Sequence, residues 1–372
     1  WDTAALEKAD KYLVFPASTS SIGSYAFANC SSLMKVKYLD ESDNINTKYE
    51  DDLSSIANAY TANRITKISN YLFSGAEALH TIWNNANPTG EKMIKPNDTV
   101  KSIGVSAFAY CKSITKVSLH GGFITNDDVK PFGDYTFAGC KNLTTLTISK
   151  GIDYLSGHMF DGWSRLDNIT IPESVNEMGA FTFANCTTLA NIKVETSIIG
   201  EYMFSTDTYI TSFGSAKYTD NLSIIGYSAF GGTNIATIEI PFSGKSAYES
   251  DSFANLFGYI FGHNSHNNAY EVWQKYGALM DNQEVTDFNN MDLRTTLIPN
   301  NDGFSFYIPK SLTTVTIIKE TTISYCAFMN TNINNVYFES ISNIRDYAFY
   351  NCDKIEHINS NDGYENEIYF NE

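Results

Sequence analysis

The stretch SIGSYAFANCSSLMKVKYL, residues 21–39, is rewritten with changes along this chain of 372 residues. It returns as SIGVSAFAYCKSITKVSLH at residues 102–120 and as NIRDYAFYNCDKIEHINS at residues 343–360. Aligned on one phenylalanine, the pattern occurs ten times, mostly at intervals of 21 to 26 residues, at Phe27, Phe73, Phe108, Phe137, Phe160, Phe183, Phe204, Phe230, Phe328 and Phe349. A fixed period of this length indicates a repeat architecture.

Each repeat contains two kinds of hydrophobic spacing. After the phenylalanine come a Leu or Ile and then two apolar residues in alternation, as in Leu143, Leu146 and Ile148. Alternation with period two predicts a strand that has one buried face. The preceding A-F-x-x-C-x-x-L segment has three-residue spacing, which favours a short helical or 3₁₀ turn.

One unit of about 23 residues cannot bury its own apolar face, so neighbouring units must stack on each other. Five apolar side chains per unit, at about 1.5–3 kcal/mol each when fully buried, provide the driving force. The sequence therefore predicts an α/β solenoid with a parallel strand ladder on one face and short turns elsewhere.

The combination of L-x-x-I-x-I with I-G-x-x-A-F-x-x-C resembles the BspA-type leucine-rich repeat. The resemblance implies a right-handed solenoid, export to the bacterial cell surface, and roles in adhesion and protein binding without catalytic residues. Residues 240–262 with 307–317 resemble a longer variant unit, whose strand contains Leu312, Val315 and Ile317. We expect a leading segment at 1–13, a repeat domain at 14–361 with an insertion near 262–306, and a tail at 362–372.

Composition and charge exclude several classes of protein. An apolar fraction of 43% argues against disorder, and a formal net charge of −17 has the wrong sign for nucleic-acid binding. No run of eighteen apolar residues is present, so we expect no membrane insertion. With the resemblance, these features predict an extracellular protein, secreted or held at the cell surface, and we expect a monomer.

Motifs for chemistry are missing from the sequence. Five of the six cysteines share one repeat position, three residues after the phenylalanine, which favours buried free thiols over disulfides or a zinc site. HNSH at residues 263–266 has ligand-like spacing, but its Asn-rich surroundings favour a polar loop. No nucleophile, paired-carboxylate or phosphate-loop motif occurs. We therefore expect no enzyme activity and no cofactor.

Two groups of residues are candidates for ligand binding. The first lies at outward positions of the strand ladder, where aromatic and charged residues interrupt Thr and Asn: Lys35, Lys37, Trp83, Lys116, Lys193, Glu239 and Tyr337. Trp83 has the alternative of packing under its neighbouring insertion. The second group is Tyr270, Trp273 and Tyr276, which three-residue spacing places on one face of a helix in NAYEVWQKYGALM, residues 268–280. That segment is either a small helix or loop docked on the solenoid, or a binding embellishment.

The predicted function is non-enzymatic binding of a host or matrix protein, or a glycan, through a broad solenoid face. A structural spacer within a larger cell-wall protein is the alternative. A third possibility, an enzyme site in the insertion at 262–306, requires a deep polar pocket with convergent acids or histidines.

Overall fold

The computed structural model describes residues 12–15, 19–33, 35–38, 65–82, 93–94, 96, 100–126, 129–214, 221–247, 252–275 and 303–360. The chain divides into two compact units, Trp1–Thr196 and Ser197–Glu372. Each unit is a stack of repeat turns, and parallel strands join successive turns into ladders. The predicted solenoid with a parallel ladder is therefore confirmed in each unit.

The first unit carries a six-stranded parallel sheet and a further parallel pair. Its strands run in spatial order as Tyr12–Phe15, Lys35–Tyr38, Thr81–Ile82, Met93–Ile94, Lys116–Leu119 and Thr145–Ile148, and Asn168–Ile171 pairs with Asn191–Val194. A shorter ladder pairs Lys67–Ile68 with Ser102–Ile103 and Tyr154–Leu155 with Glu177–Met178. The strand Met93–Ile94 comes from the long interval between Phe73 and Phe108 and adds a strand to the ladder.

The second unit repeats this plan. Its long ladder orders Ser212–Phe213, Thr237–Ile240, Thr314–Ile317, Asn335–Phe338 and His357–Ser360. The shorter ladder pairs Ile198–Ile199 with Ile224–Ile225 and Thr322–Ile323 with Asn343–Ile344. Leu312, Val315 and Ile317 are buried as the sequence predicts, because alternate side chains of a strand point to opposite faces.

The repeat phenylalanines form the core. In the first unit the rings of Phe27, Phe73, Phe108, Phe137, Phe160 and Phe183 stack in order, with centroids 5.0–6.0 Å apart. Phe204 stacks on Phe230, and Phe328 on Phe349, in the second unit. Eight of the ten are fully buried, while Phe27 and Phe349, in the first and last described turns, are half-buried. The prediction that these residues fill a shared interior is confirmed within each unit.

The segment around each phenylalanine forms linked turns and not a helix. The residues two before and two after the phenylalanine have positive φ in all ten repeats, for example 60° at Tyr135 and 71° at Gly139. This left-handed conformation interrupts helical hydrogen bonding. It lets the backbone N–H groups of Tyr135, Phe137 and Gly139 point to carbonyls of the next turn, at 2.8–3.0 Å. The three-residue spacing thus reflects successive turns joined by a second hydrogen-bond ladder.

The repeat cysteines bind a carbonyl of the preceding turn. The Sγ atoms of Cys111 and Cys140 lie 3.2 Å from the carbonyl oxygens of Phe73 and Phe108. At the same repeat position, the Trp163 indole donates to the Phe137 carbonyl at 2.9 Å. Burial raises the pKa of Cys140 to about 12, so the thiol stays protonated and keeps its donor hydrogen.

The prediction of buried free thiols holds for Cys111, Cys140 and Cys186, but it is wrong for Cys30, which is exposed. Cys30 belongs to the first described turn, at the end of that described stack. Cys352, in the last described turn, is partly buried. Burial of this repeat position therefore depends on the turn that lies against it.

The insertion contains a hairpin, so of the two expectations for this segment, a helix or a loop, the helix is wrong over Ala269–Lys275. Ala269–Lys275 pairs antiparallel with Gly303–Pro309, and residues 276–280 lie outside the described part of the chain. Two 3₁₀ helices, Phe253–Asn255 and Phe257–Ile260, precede the hairpin. Val, Tyr and Trp favour strands, and pairing with a distant segment outweighs local three-residue spacing.

Residues 253–274 replace a repeat turn between Phe230 and Phe328. The Phe257 ring lies 4.7 Å from the ring of Phe328, and the Phe257 N–H donates to the Ala327 carbonyl. Phe230 in turn donates its N–H to the Ile260 carbonyl at 2.9 Å. Phe257 therefore takes the place of the repeat phenylalanine on the side of this turn that faces Phe328.

A buried glutamine completes this replacement turn. The Gln274 side chain is fully buried, and its amide oxygen accepts the Gly258 N–H at 2.8 Å. Its amide nitrogen donates to the carbonyls of Ala327 at 2.9 Å and Met329 at 3.3 Å. In regular turns, the carbonyl one residue after the phenylalanine accepts a backbone N–H of the preceding turn, as Asp161 does from Gly139. At Met329 the Gln274 side chain donates in place of that backbone N–H.

Candidate functional site

The long ladder of each unit presents ranks of outward side chains. Parallel pairing places equivalent residues side by side, such as Lys116 with Thr145 and Ser118 with Thr147 in the first unit. In the second unit one rank contains Thr237, Thr314, Asn335 and His357, and its neighbour contains Glu239, Thr316 and Tyr337. Because register repeats at every strand, these side chains form regular polar rows with an occasional charged or aromatic residue.

The structure places four of the predicted ladder residues in these ranks. Lys116 and Lys193 are half-buried on the outward face of the first unit, and Lys193 forms an ion pair with Glu195. The hydrogen bond from Lys193 lowers the pKa of the Glu195 carboxyl. Glu239 and Tyr337 are half-buried in one rank of the second unit, with Thr316 between them.

The remaining ladder candidates are described only in part. Lys35 and Lys37 lie in the strand Lys35–Tyr38, where they pair with Tyr12 and Val14. Their side-chain positions and the whole of Trp83 and Tyr276 lie outside the described residues. The roles predicted for these four residues remain predictions.

The two described aromatic residues of the insertion hold the hairpin in place. The Tyr270 hydroxyl accepts the Asn332 N–H at 2.7 Å, and burial raises the pKa of Tyr270 to about 12. Trp273 packs against buried Cys326 and Met329 and lies over Gly303, where a Cβ atom would clash with the indole. Both side chains therefore stabilise the docked hairpin, which agrees with the interpretation of this segment as one that packs on the solenoid.

The two histidines of HNSH lie on either side of the turn that carries Phe230. His263 contacts the hydroxyl of Tyr227, and the His266 ring lies close to Gly232. Burial lowers the pKa of His266, which disfavours its charged form. Among the described residues, no three His, Cys, Asp or Glu side chains form a group suited to a metal ion.

One surface feature escaped the sequence analysis, a column of side chains at the residue two before each repeat phenylalanine. We call it the turn-edge column. Its members are Tyr25, Tyr71, Ser106, Tyr135, His158 and Phe181 in the first unit and Tyr202, Ser228, Cys326 and Tyr347 in the second. Tyr25 stacks on Tyr71 with centroids 4.5 Å apart, and His158 stacks between Tyr135 at 4.3 Å and Phe181 at 4.7 Å.

The backbone at the turn-edge column makes these aromatic residues unexpected. All ten members have φ between 51° and 61°, a conformation that favours Gly and Asn. The other left-handed position of each repeat does use Gly or Asn in eight of ten turns, for example Gly139 and Asn185. The turn-edge column instead carries large rings, which gain stacking contacts with the adjacent turns. The sequence signal for this column is the tyrosine that recurs two residues before the repeat phenylalanine, at Tyr25, Tyr71, Tyr135, Tyr202 and Tyr347.

The repeat described above is also found in known proteins. A family model described as the BspA type leucine rich repeat region, of six copies, matches residues 7–128, 87–210, 130–257 and 285–369. The matches leave out residues 258–284, where the structure has the replacement turn and part of the hairpin. No curated protein matches the chain.

Solved structures of repeat proteins are also similar. A leucine rich cell surface protein from Faecalibacterium prausnitzii aligns at 18% identity with a TM-score of 0.40, over 94% of this chain and 79% of its own. A leucine-rich repeat protein from Bacteroides ovatus aligns at 16% identity with a TM-score of 0.48, over 92% of this chain and 73% of its own.

Neither 3₁₀ helix of the described residues has the length and apolar character needed to cross a bilayer.

Proposed function

The chain belongs to the BspA-type leucine-rich repeat family, and we propose that it is a non-enzymatic bacterial surface protein that binds a partner for adhesion. The partner is a host or matrix protein, with a glycan as the second choice. The location we propose is extracellular, either attached to the cell surface or secreted.

The in-register outward ranks of the two long ladders are the observation that supports this proposal. An outward strand face offers a partner repeated side chains at strand spacing, about 4.8 Å. Lys116 and Lys193 in one unit, and Glu239 and Tyr337 in the other, interrupt rows of Thr and Asn. Charged and aromatic groups of this kind give specificity and anchor contacts at interfaces.

The test starts with the purified chain on an array of matrix proteins and glycans, followed by variants in solution. Lys116→Glu with Thr147→Glu changes two outward positions of the first unit, and we expect it to weaken partner binding at least about tenfold. Lys141→Glu, an exposed charge reversal in a turn outside the strands, is the control for added negative charge and should bind normally. Tyr337→Ala changes the outward face of the second unit, and weaker partner binding by this variant would show that this face is also used.

The outcomes separate the proposed function from its alternative. Equal loss for Lys141→Glu would mean that overall charge, and not the ladder face, controls binding. An array with no bound protein or glycan would instead favour the spacer. Labelling of intact cells with an antibody against the chain tests the surface location independently.

A further inference from the structure

The turn-edge column of the first unit lacks one ring. Tyr25 stacks on Tyr71, and Tyr135, His158 and Phe181 form a second stack. Between the two stacks lies the turn of Phe108, whose column member is Ser106. Ser106 places a hydroxymethyl group where neighbouring turns carry an aromatic ring, and we call this ring-free position between Tyr71 and Tyr135 the slot.

The width of this slot suits one flat group. Hydrogen bonds from Tyr71 to Val105 and from Ser106 to Asp134 show that the three turns are consecutive. At about 4.8 Å per turn, Tyr71 and Tyr135 lie about 10 Å apart. That is about twice the 4.3–4.7 Å spacing of stacked rings in this column. One planar group inserted here would stack on both tyrosines and complete the column.

The walls of the slot are accessible from solvent. Tyr135 is 42% exposed, and the face that it turns toward His158 is already covered. Tyr71 is half-buried, with one face against Tyr25. The faces directed at Ser106 are therefore the ones left for a ligand. Tyr110, four residues after Ser106, is 58% exposed, and its ring lies against Gly139 of the next turn.

The charge around the slot favours a cation. Asp134, adjacent to Tyr135, is exposed, and its Oδ1 atom accepts the Gly157 N–H at 3.0 Å. The carboxylate is close enough to Tyr154 to help raise the pKa of that phenol, after burial and together with Glu177. Lys112 and Lys130, which belong to the same stretch of turns, pair with Glu77 and Glu177. The whole chain carries a net charge of −17.

We propose that this slot binds an arginine side chain of a protein partner. The guanidinium is flat, stacks on aromatic faces, and carries a positive charge that suits the negative charge of Asp134 next to Tyr135. A lysine ammonium is not planar and cannot stack on two rings, while a neutral aromatic ring would not use the local negative charge. This inference rests on the proposed function, because it names the chemistry of the partner.

The experiment measures binding of a fluorescent peptide of alternating Gly and Arg by anisotropy, at about 0.15 M salt. Ser106→Tyr fills the slot with the residue that the same backbone position carries in other turns, so the fold is preserved. We expect it to weaken binding at least about tenfold, and Tyr135→Ala to weaken it comparably. Ser106→Ala keeps the slot open and should bind within about twofold of the natural chain. Tyr347→Ala, in the second unit, is the control for loss of a column ring.

Two further peptides, with Lys or with citrulline in place of Arg, test the ligand class. Lys should bind several-fold more weakly, because it keeps the charge and loses the stacking plane, and citrulline should also bind weakly, because it loses the charge. Unchanged binding by Ser106→Tyr would overturn the slot. Equal slot-dependent binding of a Phe peptide or a methyl glycoside would overturn the assignment to arginine.

The experiments distinguish a failure of the arginine slot from a failure of the proposed function. If an array partner binds Ser106→Tyr normally but fails to bind the Lys116→Glu, Thr147→Glu variant, the slot is wrong and the proposed function stands. If the slot binds the Arg peptide while the array yields no partner, the slot stands and the proposed adhesion is wrong.

Discussion

The regular turns of the first unit and the replacement turn of the second achieve the same contacts by different means. In the turns that carry Phe108, Phe137 and Phe160, each ring stacks on the next and each set of backbone N–H groups binds the following turn. Between Phe230 and Phe328 the repeated sequence is lost. There Phe257 supplies the ring and the Gln274 side chain supplies a donor.

The comparison shows what each turn of the stack requires. It needs an aromatic ring in the core and hydrogen-bonded backbone groups, but it does not need the repeated sequence itself. Unpaired buried backbone groups are costly, so an interruption must provide substitutes. The regular turns obtain them from the motif. The replacement turn obtains them from a hairpin that contacts Cys326 and Met329 through Trp273.

The largest expected effect comes from removing one ring in each region. Phe160→Ala and Phe257→Ala should each lower the free energy of unfolding by about 3–5 kcal/mol, because both leave a cavity next to a stacked ring. Urea unfolding measures the loss, and Trp163 fluorescence reports on the first unit because its indole contacts Phe160. A much smaller loss for Phe257→Ala would break the equivalence of the two rings.

The second prediction concerns the pH dependence of stability, and it applies to Glu320 of the second unit, which lies outside the regular turns of the first unit. Glu320 is almost fully buried, its Oε2 atom accepts the Ser243 N–H at 2.6 Å, and its Oε1 atom has no hydrogen-bond partner among the described residues. Burial raises the pKa of Glu320 from its ordinary value of 4.5 to about 7. The folded state then binds this proton more tightly than the unfolded state does, so its stabilising effect is complete below about pH 4.5 and is lost as the pH rises through about 7.

The loss across this window is about 3 kcal/mol, from about 1.4 kcal/mol per pKa unit. Glu320→Gln is neutral at every pH and should match the natural chain near pH 4.5 but exceed it in stability at pH 8. Glu173→Gln is the control in the first unit, where an exposed carboxylate pairs with Lys150 at 3.4 Å. If the difference between the natural chain and Glu320→Gln stays constant with pH, Glu320 does not titrate in this range.

The third prediction tests the substitute donor. Gln274→Met keeps most of the buried volume but leaves the Gly258 N–H and the Met329 carbonyl without this partner. We expect a loss of about 2 kcal/mol in the free energy of unfolding, together with faster hydrogen exchange in the hairpin strands. Thr170→Ala, an exposed strand position, should change stability little. A neutral Gln274→Met would show that the hairpin does not depend on this amide.

The smallest effect concerns the repeat cysteines. Cys140→Ala removes a thiol donor to the Phe108 carbonyl and should cost about 1 kcal/mol. A disulfide reagent should modify Cys30 rapidly, because it is exposed, and reach Cys111, Cys140 and Cys186 only on unfolding. Rapid modification of those three in the folded chain would contradict the buried thiol positions.

Much of the fold could be predicted from the sequence because repetition removes ambiguity. Alternation in residues 145–148 identified a strand, and ten aligned phenylalanines identified the core. The helix predicted in residues 268–280 failed because Tyr270 and Trp273 contact strand and turn residues far away in the chain. Local spacing carries no information about such partners.

The sequence by itself determined that this chain is a stack of turns, because a short unit with five apolar residues can bury them only against its own copies. Only the tertiary structure decided which side chains share a surface. Ser106 becomes the floor of a slot because turns 35 and 29 residues away in the sequence place Tyr71 and Tyr135 on either side. The physical reason is that backbone hydrogen bonds between turns fix the neighbours, whatever the length of chain between them.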